Sequence, residues 1–406
     1  MPDFAQQGPI TTIHSFGVGD PGQLESTLNH ATQDYKIGLV LPVTADDMRA
    51  EPFGRIMEQL QGVQFIDQIV VTLGVAPGEV DYREAKQKAG GLDSSAEVLW
   101  TDGPEVTALY QKLIDAGFNL SVPGKGRSVW TAFGYLLADP RLSAFVLHDC
   151  DIVDYERSML ARLCLPMAHS SLDFDFCKAY YARTTDRMHG RAVRLLVAPL
   201  LRALIAMLGH DEFLVYMNSF RYPLAGEFGM SRSLARSNRI PCDWGLEVGT
   251  LAEVFRNTSL KRVCQVDLGR LYEHKHQALS LEDASKGLMK MATDILTSIV
   301  RTLASRGVIF DRGHFITLRS AYLRTAQDAI RQYHSDALVN GLEYDRNSEE
   351  HAVDGFASRI TAAGEIFCEN PSGGEAIPNL TRVLAAFPDF PQQLRDAAKR
   401  DSERLA

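Results

Sequence analysis

Two aspartates one residue apart follow an apolar segment near the middle of the chain. Residues 145–148 read Phe-Val-Leu-His and lead into Asp149, Cys150 and Asp151, which predicts a buried strand that ends at two carboxylates. Side chains alternate along a strand, but the backbone turns where the strand ends, so both carboxylates can approach one divalent cation. Such a cation accepts water and phosphate oxygens in the rest of its shell. The pattern therefore predicts a site for a metal and a diphosphate.

A glycine-flanked lysine precedes this strand. The glycines of Gly124-Lys125-Gly126 let the backbone approach a phosphate closely, and the lysine ammonium supplies a mobile counter-charge. An isolated string of this kind is more often an ordinary turn, and Asp-x-Asp pairs arise by chance in a chain with 51 acidic residues. The succession of the two motifs favours one active site.

A basic cluster contrasts with the acidic chain. Arg183, Arg187, His189, Arg191 and Arg194 lie close together, whereas the whole chain has a formal net charge of −9. The cluster is either a solvated helix face or a site for an anion, and both interpretations stay open. The overall charge disfavours nucleic acid as a partner, since nucleic acid binding needs a basic face.

The composition is that of an ordinary globular protein. The 406 residues are 45% hydrophobic and 23% charged, which fits one large domain with an appendage or two domains. The apolar stretches are too short to cross a bilayer, and the N-terminus has no signal-peptide pattern. The six cysteines are scattered without a CxxC pair, so we expect reduced thiols. We expect a cytoplasmic protein without a membrane partner.

Strand and helix patterns alternate through the first half of the chain. Residues 37–43, 66–73 and 145–153 predict strands, and residues 120–122 a further short one. The segments 53–60, 105–116 and the one from Ser128 onward predict helices, which indicates an α/β fold with a mostly parallel sheet covered on both faces. Ligands of such sheets lie beyond the carboxyl ends of the strands, where residues 42–44, 72–74 and 149–151 would meet.

Further short strings follow in a fixed order. They are residues 190–193, 198–201, 222–228, 244–249 and 266–269, ahead of His274 and His276. Their order and spacing resemble the glucosyl-3-phosphoglycerate synthases, which are retaining nucleotide-sugar glycosyltransferases of the GT-A type. The resemblance runs from about residue 36 to about residue 276. Mannosyl-3-phosphoglycerate synthases, which use a GDP-sugar, are the nearest rival family.

The resemblance implies a domain division. Residues 1–35 would be an N-terminal extension, and residues 36–276 a GT-A domain with a Rossmann-like sheet. That domain would consist of a donor half (36–152) and an acceptor half (153–276). Residues 277–406 predict a helical C-terminal subdomain, because 283–303 and 314–338 are long amphipathic segments. We expect this subdomain to serve in packing, in oligomerisation such as a homodimer, or as a lid.

The resemblance also implies a metal site for magnesium or manganese. Asp151 would be the direct ligand, and Asp149 would lie nearer the ribose or a bound water. His274 would complete the shell, and a neutral imidazole suits that role. His276 competes for it, because the turn after Gly269 is one residue longer than in the family.

Donor binding is implied for residues from several segments. They are Pro42, Val43, Thr44, Asp46, Thr72, Lys125, Asp149, Leu224, Gly226 and Glu227. The first four match the uridine and ribose site, and residues 224–227 match the loop around the transferred sugar. The chain departs from the family at residues 45–47 and 72–74, so uracil and guanine both stay open as the base.

Acceptor binding is implied for Gly190, Arg191 and Val193. Backbone amides and a guanidinium would hold 3-phosphoglycerate there, because a planar fork of donors fits a phosphate or a carboxylate. Val193 replaces a hydroxyl-bearing residue of the family, so unphosphorylated glycerate stays open as the acceptor. Glu247 matches a glutamate near the reacting centre, and the implied catalytic group is Glu247, Lys125 and Asp151.

The reaction implied is transfer of glucose from UDP-glucose or a related donor to 3-phospho-D-glycerate. The product, glucosyl-3-phosphoglycerate, would be a precursor of a compatible solute or polysaccharide. The anomeric configuration would be retained without an enzyme nucleophile. The alternatives are a mannosyl-3-phosphoglycerate synthase and a glucosylglycerate synthase. More remote ones are a sugar-nucleotide nucleotidyltransferase, whose Gly-rich basic loop is missing after residue 43, and a non-catalytic nucleotide-sugar binder.

Overall fold

The fold is built on one large twisted sheet. The computed structural model describes residues 6, 8–17, 20–92, 96–241, 245–269, 283, 286–373 and 376–404. Within these residues the strands are β1 (Thr11–Ile13), β2 (Lys36–Thr44), β3 (Gln68–Gly74), β4 (Ala96–Trp100), β5 (Leu142–Leu147), β6 (Phe176–Tyr180), β7 (Phe228–Ser231) and β8 (Val263–Asp267). Their spatial order is β1-β8-β6-β7-β5-β2-β3-β4.

The sheet is mostly parallel, as the sequence predicts. Among the described strands, β7 alone runs antiparallel to its neighbours β5 and β6. The strands β2, β3, β4 and β5 form a continuous parallel block. Their carboxyl ends therefore face the same edge of the sheet, which is where ligands bind in folds of this class.

Helices cover both faces of the sheet. In the part of the chain that the structure describes, they are α1 (Pro21–Ala31), α2 (Ala45–Arg49), α3 (Glu51–Leu60), α4 (Glu79–Ala89), α5 (Pro104–Asp115), α6 (Lys125–Leu136), α7 (Arg157–Ala168), α8 (Ala198–Leu208), α9 (Glu212–Ser219), α10 (Arg232–Ser237), α11 (Leu246–Asn257), α12 (Gly287–Ser305), α13 (Arg312–Asn340), α14 (Arg346–Glu369), α15 (Leu380–Ala386) and α16 (Phe390–Glu403). A π-helix (Ala192–Val197) precedes α8, and a short 3-10 helix (Leu260–Arg262) precedes β8.

Alternating side chains of the central strands fill two separate cores. On β2, Val40 packs into the core beneath α6, whereas Leu39 and Leu41 pack into the core on the opposite face. Both faces of β2 are buried, which explains why its sequence is apolar at nearly every position. The long apolar segments that predicted these strands therefore have a direct physical cause.

One predicted strand is wrong. Residues 120–122 form no strand, although Leu120 is buried in the core beneath α6. The fourth strand of the parallel block is β4, which the sequence analysis did not identify because it is only five residues long and carries Glu97. The apolar character of residue 120 reflects core packing of a connecting segment and not pairing in the sheet.

The C-terminal helices contact both halves of the sheet region. Asp401 of α16 accepts hydrogen bonds from the backbone amides of Glu105 (3.0 Å) and Val106 (3.3 Å) and thereby caps α5. In the same region α13 packs against the π-helix and α8, and α14 packs against the π-helix. At the other end of the chain, β1 pairs with β8 at the edge of the sheet. The division at residues 35/36 and 276/277 stays a prediction.

Two further observations concern membrane-spanning helices and cysteines. No helix in the described ranges is long and apolar enough to cross a membrane. The five described cysteines are free thiols, as expected: Cys150, Cys164, Cys177, Cys264 and Cys368.

Candidate active site

The two motif aspartates lie directly beyond the carboxyl end of β5. Lys125 contacts the first of them, with 2.6 Å between its Nζ and Oδ1 of Asp149. The same ammonium lies 3.4 Å from Oε1 of Glu247, which is in the first turn of α11. Residues separated by more than a hundred positions in the sequence are thus joined in one charged cluster, formed by Lys125, Asp149, Asp151 and Glu247.

The backbone before Lys125 depends on glycine. Gly124 has a φ of 147°, a conformation that residues with a side chain rarely adopt. It allows α6 to begin at Lys125 with its N-terminus directed toward the cluster. The amide groups and the positive end of the helix dipole favour an anion at this position.

The electrostatics of the cluster favour a cation and a diphosphate. Burial, together with the neighbouring carboxylate of Asp149, raises the pKa of Asp151 to about 7. Burial alone would lower the pKa of Lys125, but Asp149 and Glu247 raise it above its usual value, so the ammonium remains charged. A divalent cation would relieve the repulsion between the two aspartates and favour their ionised forms.

The residues present fit magnesium or manganese. Asp149 and Asp151 supply hard oxygen ligands, and both metals accept phosphate oxygens and water as the remaining ligands. In the described residues no three His, Cys, Asp or Glu side chains are grouped to hold a metal. The remaining ligands must therefore come from the donor, from water or from outside the described residues, where the candidates His274 and His276 both lie.

A cleft of about 530 Å³ opens beside the cluster. Its walls come from the ends of β2, β3 and β5 and from the start of α6. The predicted site residues that line it are Pro42, Val43, Thr44, Lys125, Asp149 and Asp151. Its volume is in the range of small-molecule sites in proteins. The convergence of strand ends expected from the sequence is thus present.

Asp46 and Thr72, both predicted to bind the donor, lie outside the lining of this cleft, as do the predicted donor residues of the sugar loop. Asp46 is exposed on α2, and Thr72 is fully buried within β3. Asp47 lines the cleft instead and accepts a hydrogen bond of 2.8 Å from the Thr44 hydroxyl. Thr44 also caps α2 by accepting from the Asp47 amide at 3.1 Å.

The predicted sugar loop reaches the aspartates from the opposite side. Leu224 and Gly226 belong to this loop, and a Cβ atom added at Gly226 would clash with the carboxylate of Asp149. Glu227 is buried and accepts hydrogen bonds from the Tyr181 hydroxyl (2.9 Å) and the Asp149 amide (3.5 Å). The absence of a side chain at residue 226 therefore permits the close approach of loop and metal motif.

A buried lysine that the sequence analysis missed supports this loop. Lys178 of β6 is fully buried, and its Nζ donates a hydrogen bond of 2.5 Å to the Ala225 carbonyl. Burial lowers the pKa of Lys178 to about 8, and the nearby Glu247 and Glu227 oppose that shift. The sequence carried a signal, since a lysine interrupts the otherwise apolar strand Phe176–Tyr180.

Val75 is a second residue that the sequence analysis missed. Among the described residues it is the one non-glycine residue with a positive φ (51°), and it lines the cleft directly after β3. A β-branched residue in this conformation is strained, and strain of this kind concentrates at functional sites. Its side chain is 69% exposed, which leaves an apolar surface at the cleft.

A pair of tyrosines lies between the predicted sugar loop and the predicted acceptor residues. The rings of Tyr181 and Tyr222 are 4.9 Å apart, and Tyr222 lies against Gly190, whose φ of 74° starts the turn into the π-helix. Val193 is buried within that π-helix. Because Tyr181 contacts Glu227, a continuous chain of contacts joins the acceptor loop to the metal motif.

Arg191 is anchored by a helix from the C-terminal region. Its Nε donates to Oε1 of Glu349 and its Nη2 to the hydroxyl of Ser348, each at 2.8 Å. Arg194 contacts the same glutamate at 2.8 Å. By contrast, Arg187 contacts Asp186 and the exposed Glu343. The basic cluster thus divides into a buried part and a solvated part. Arg187 in the solvated part is not in a helix, and the anion site stays a prediction.

The sheet and the charged cluster at its carboxyl edge define a glycosyltransferase of the GT-A type, as the sequence predicted. No family model matches the chain. The chain nevertheless belongs to the glucosyl-3-phosphoglycerate synthase family. It is 42% identical over 402 residues to the glucosyl-3-phosphoglycerate synthase of Persephonella marina, with 99% of each chain covered. It is 39% identical over 404 residues to that of Methanococcoides burtonii, with 98% of each covered.

Solved structures show the same fold. A structure of glucosyl-3-phosphoglycerate synthase from Mycobacterium tuberculosis with Mn²⁺, UDP-glucose and phosphoglyceric acid matches with a TM-score of 0.52 at 20% identity, covering 73% of this chain and 88% of that one. The mannosyl-3-phosphoglycerate synthase of Rubrobacter xylanophilus matches with a TM-score of 0.54 at 21% identity, covering 73% and 82%. Because the fold matches both families, the assignment to the first rests on the sequence relatives.

Proposed function

We propose that this protein is a metal-dependent hexosyltransferase that moves glucose from a nucleoside-diphosphate sugar to 3-phospho-D-glycerate. The product is glucosyl-3-phosphoglycerate, and the anomeric configuration is retained. The observation that carries this proposal is the cluster of Lys125, Asp149, Asp151 and Glu247 in a chain that matches two glucosyl-3-phosphoglycerate synthases over nearly its full length.

The donor half stabilises the leaving group. Asp149 and Asp151 would hold Mg²⁺ or Mn²⁺, which supplies Lewis-acid stabilisation of the departing diphosphate. Lys125 adds a positive charge at the N-terminus of α6, where the backbone amides would also face the diphosphate. We assign the nucleoside to the cleft lined by Pro42, Val43 and Thr44. We propose UDP-glucose as the donor because the Mycobacterium tuberculosis glucosyl-3-phosphoglycerate synthase binds it.

The sugar and the acceptor are positioned from the other side. Glu227 and the backbone around Gly226 would hold hexose hydroxyls, which is supported by their contacts with Asp149. Glu247 contacts Lys125, which also contacts Asp149. From this position its carboxylate would stabilise the positive charge that develops on the sugar. Gly190 and Arg191 would hold the anionic acceptor, and the departing diphosphate takes the proton of the acceptor hydroxyl.

Two finer proposals concern the state of the protein in the cell. We propose a homodimer, supported by the exposed apolar side chains Ile316, Leu338 and Val339 on α13. We also propose a cytoplasmic location, supported by the free thiols of the described cysteines. Sedimentation velocity at several protein concentrations tests the first proposal, and a species of monomer mass throughout would contradict it.

The test of the function is product formation from a matrix of substrates. UDP-glucose, GDP-glucose and GDP-mannose are each combined with 3-phosphoglycerate or glycerate in the presence of Mg²⁺ or Mn²⁺. We expect turnover with UDP-glucose and 3-phosphoglycerate, and its loss in Asp151→Ala. Asp154→Ala is the matched control, because it removes a carboxylate three residues further on that does not line the cleft. Turnover only with GDP-mannose, or only with glycerate, would replace the proposal by the corresponding alternative.

A further inference from the structure

Glu349 of α14 is a buried carboxylate shared by two arginines of the acceptor loop. Its residue surface is 5% exposed. Oε1 accepts from Nε of Arg191 at 2.8 Å, and Oε2 accepts from Nη1 of Arg194 at the same distance. Burial of a carboxylate costs free energy unless charged groups pair with it, and both partners of Glu349 come from the segment that follows Gly190.

The two arginines differ in what remains available to a ligand. Arg194 is buried, and beyond Glu349 it donates to the carbonyls of His189 (2.8 Å) and Met188 (3.2 Å). Arg191 keeps 33% of its side chain exposed, and its contacts with Glu349 and Ser348 use Nε and Nη2. Of the two arginines, Arg191 is therefore the one that can bind an anion, through its Nη1 group.

The charge balance favours such an anion. One carboxylate faces two guanidinium groups, so the group of three carries an excess positive charge. The guanidinium groups of Arg191 and Arg194 repel each other, and Glu349 neutralises only one of the two charges. An incoming phosphate or carboxylate would therefore be attracted to Arg191, the more exposed of the two. Glu349 meanwhile keeps the guanidinium plane of Arg191 fixed, so that its Nη1 is held in one orientation for an acceptor anion.

The helix that carries Glu349, α14, is held in place by its own cap and by packing against its neighbours. Asp345 caps α14 by accepting from the Ser348 amide at 3.0 Å. The hydroxyl of Tyr322 on α13 donates to the Leu195 carbonyl inside the π-helix at 2.6 Å. Because α14 itself packs against both α13 and the π-helix, Glu349 is held in place relative to Arg194 of that π-helix.

We infer that Glu349 is a positioning residue of the acceptor site, supplied by the C-terminal helices, which orients Arg191 toward the anionic group of the acceptor. This inference rests on the proposed function, because it takes the residues around Gly190 as the acceptor loop. It assigns to the helical C-terminal region a direct part in acceptor recognition.

The test is a split between the kinetic constants of Glu349→Gln. The side chain keeps its size but loses its charge, so Arg191 is no longer fixed by an ion pair. We expect the KM for 3-phosphoglycerate to rise by about tenfold or more, with kcat and the KM for UDP-glucose within about threefold of the wild type. Ser348→Ala, which removes only the second anchor of Arg191, should raise the same KM by a smaller factor.

Glu343→Gln is the matched control. Glu343 also joins the C-terminal region to the basic cluster, with 2.6 Å to Arg187, but that ion pair is exposed. Its kinetic constants should match the wild type, because exposed pairs contribute little. Glu349→Asp keeps the charge and should restore part of the lost affinity.

The outcomes separate this inference from the proposed function. If the wild type turns over 3-phosphoglycerate and folded Glu349→Gln shows an unchanged KM, the positioning role is wrong and the function stands. A lowered KM would mean that Glu349 competes with the acceptor, which also overturns the inference. If Glu349→Gln does not fold, an unchanged KM in Ser348→Ala decides against it. A wild type without turnover of 3-phosphoglycerate would overturn both.

Discussion

The donor side and the acceptor side of the site are built in different ways. On the donor side the two aspartates follow the end of a strand in the parallel block, and Lys125 is the first residue of α6. The sheet and the helix packed on it therefore bring these groups together. On the acceptor side Arg191 is held by Glu349, 158 positions further along the chain, on a helix outside the sheet. In the proposed mechanism the sheet thus provides the groups for the leaving group, whereas tertiary packing of the C-terminal helices provides the acceptor contact.

The largest expected effect lies on the donor side, in Lys125→Met. This change removes the charge that contacts Asp149 and Glu247 and would face the leaving diphosphate. We expect kcat to fall by roughly 100- to 1,000-fold, the range for removal of one preorganised electrostatic group. Lys112→Met is the control, because Lys112 lies exposed on α5 and contacts Gln393. Steady-state kinetics at saturating substrates measure the effect, and near-normal kcat in Lys125→Met would remove Lys125 from the mechanism.

Lys178→Met tests how the two sides are joined. Lys178 holds the Ala225 carbonyl of the sugar loop, so its loss should lower kcat by about 10- to 100-fold. In the wild type, activity should decline as the pH rises through about 8, the value to which burial lowers the pKa of Lys178. The variant should lack that decline. An identical alkaline limb in both proteins would show that another group titrates there.

The same lysine gives a stability prediction of opposite sign. Since its native pKa of about 8 lies below the usual 10.5, the unfolded chain binds more protons between those values. The contribution of Lys178 to the free energy of unfolding should therefore become more favourable as the pH rises from about 8 to 10.5. Urea unfolding of the wild type and Lys178→Met across this range measures the difference, and a pH-independent difference would contradict the assigned pKa.

On the acceptor side, Arg191→Lys should have a moderate effect. A lysine ammonium cannot contact Glu349, Ser348 and an acceptor anion in one plane, so we expect the KM for 3-phosphoglycerate to rise about tenfold. Arg187→Lys, in the solvated part of the same cluster, should leave that KM unchanged. An unchanged KM in Arg191→Lys would show that the cluster acts through its net charge, which both changes keep, and not through an oriented guanidinium.

The smallest expected effect concerns the strained residue of the donor cleft. Asparagine tolerates the left-handed conformation better than valine, so Val75→Asn should raise the free energy of unfolding by about 1 kcal/mol. The KM for the donor should rise modestly, because an apolar surface of the cleft is lost. Thermal unfolding and donor kinetics together test this, and a destabilised variant would mean that the valine side chain makes a contact that offsets its strain.

The difference between the two sides explains what the sequence could predict. Asp149 and Asp151 could be predicted because they follow a strand of a parallel sheet, where ligands bind by a general rule, and Lys125 because two glycines flank it ahead of that strand. Glu349 was not identified, since nothing local in a polar helix indicates which distant loop it contacts. Lys178 left a signal, a lysine within an apolar strand, that became meaningful only with the Ala225 carbonyl in place. The positive φ of Val75 and the pairing of the short strand β4 depend on tertiary structure and have no sequence signature.

The most direct test of the account is NMR analysis of the product that the wild type forms from UDP-glucose and 3-phosphoglycerate with Mn²⁺. The account predicts one product, glucosyl-3-phosphoglycerate, whose anomeric configuration is the same as that of the donor. No such product should form with Asp151→Ala of normal thermal stability. An inverted product, or the same product from folded Asp151→Ala, would contradict the account.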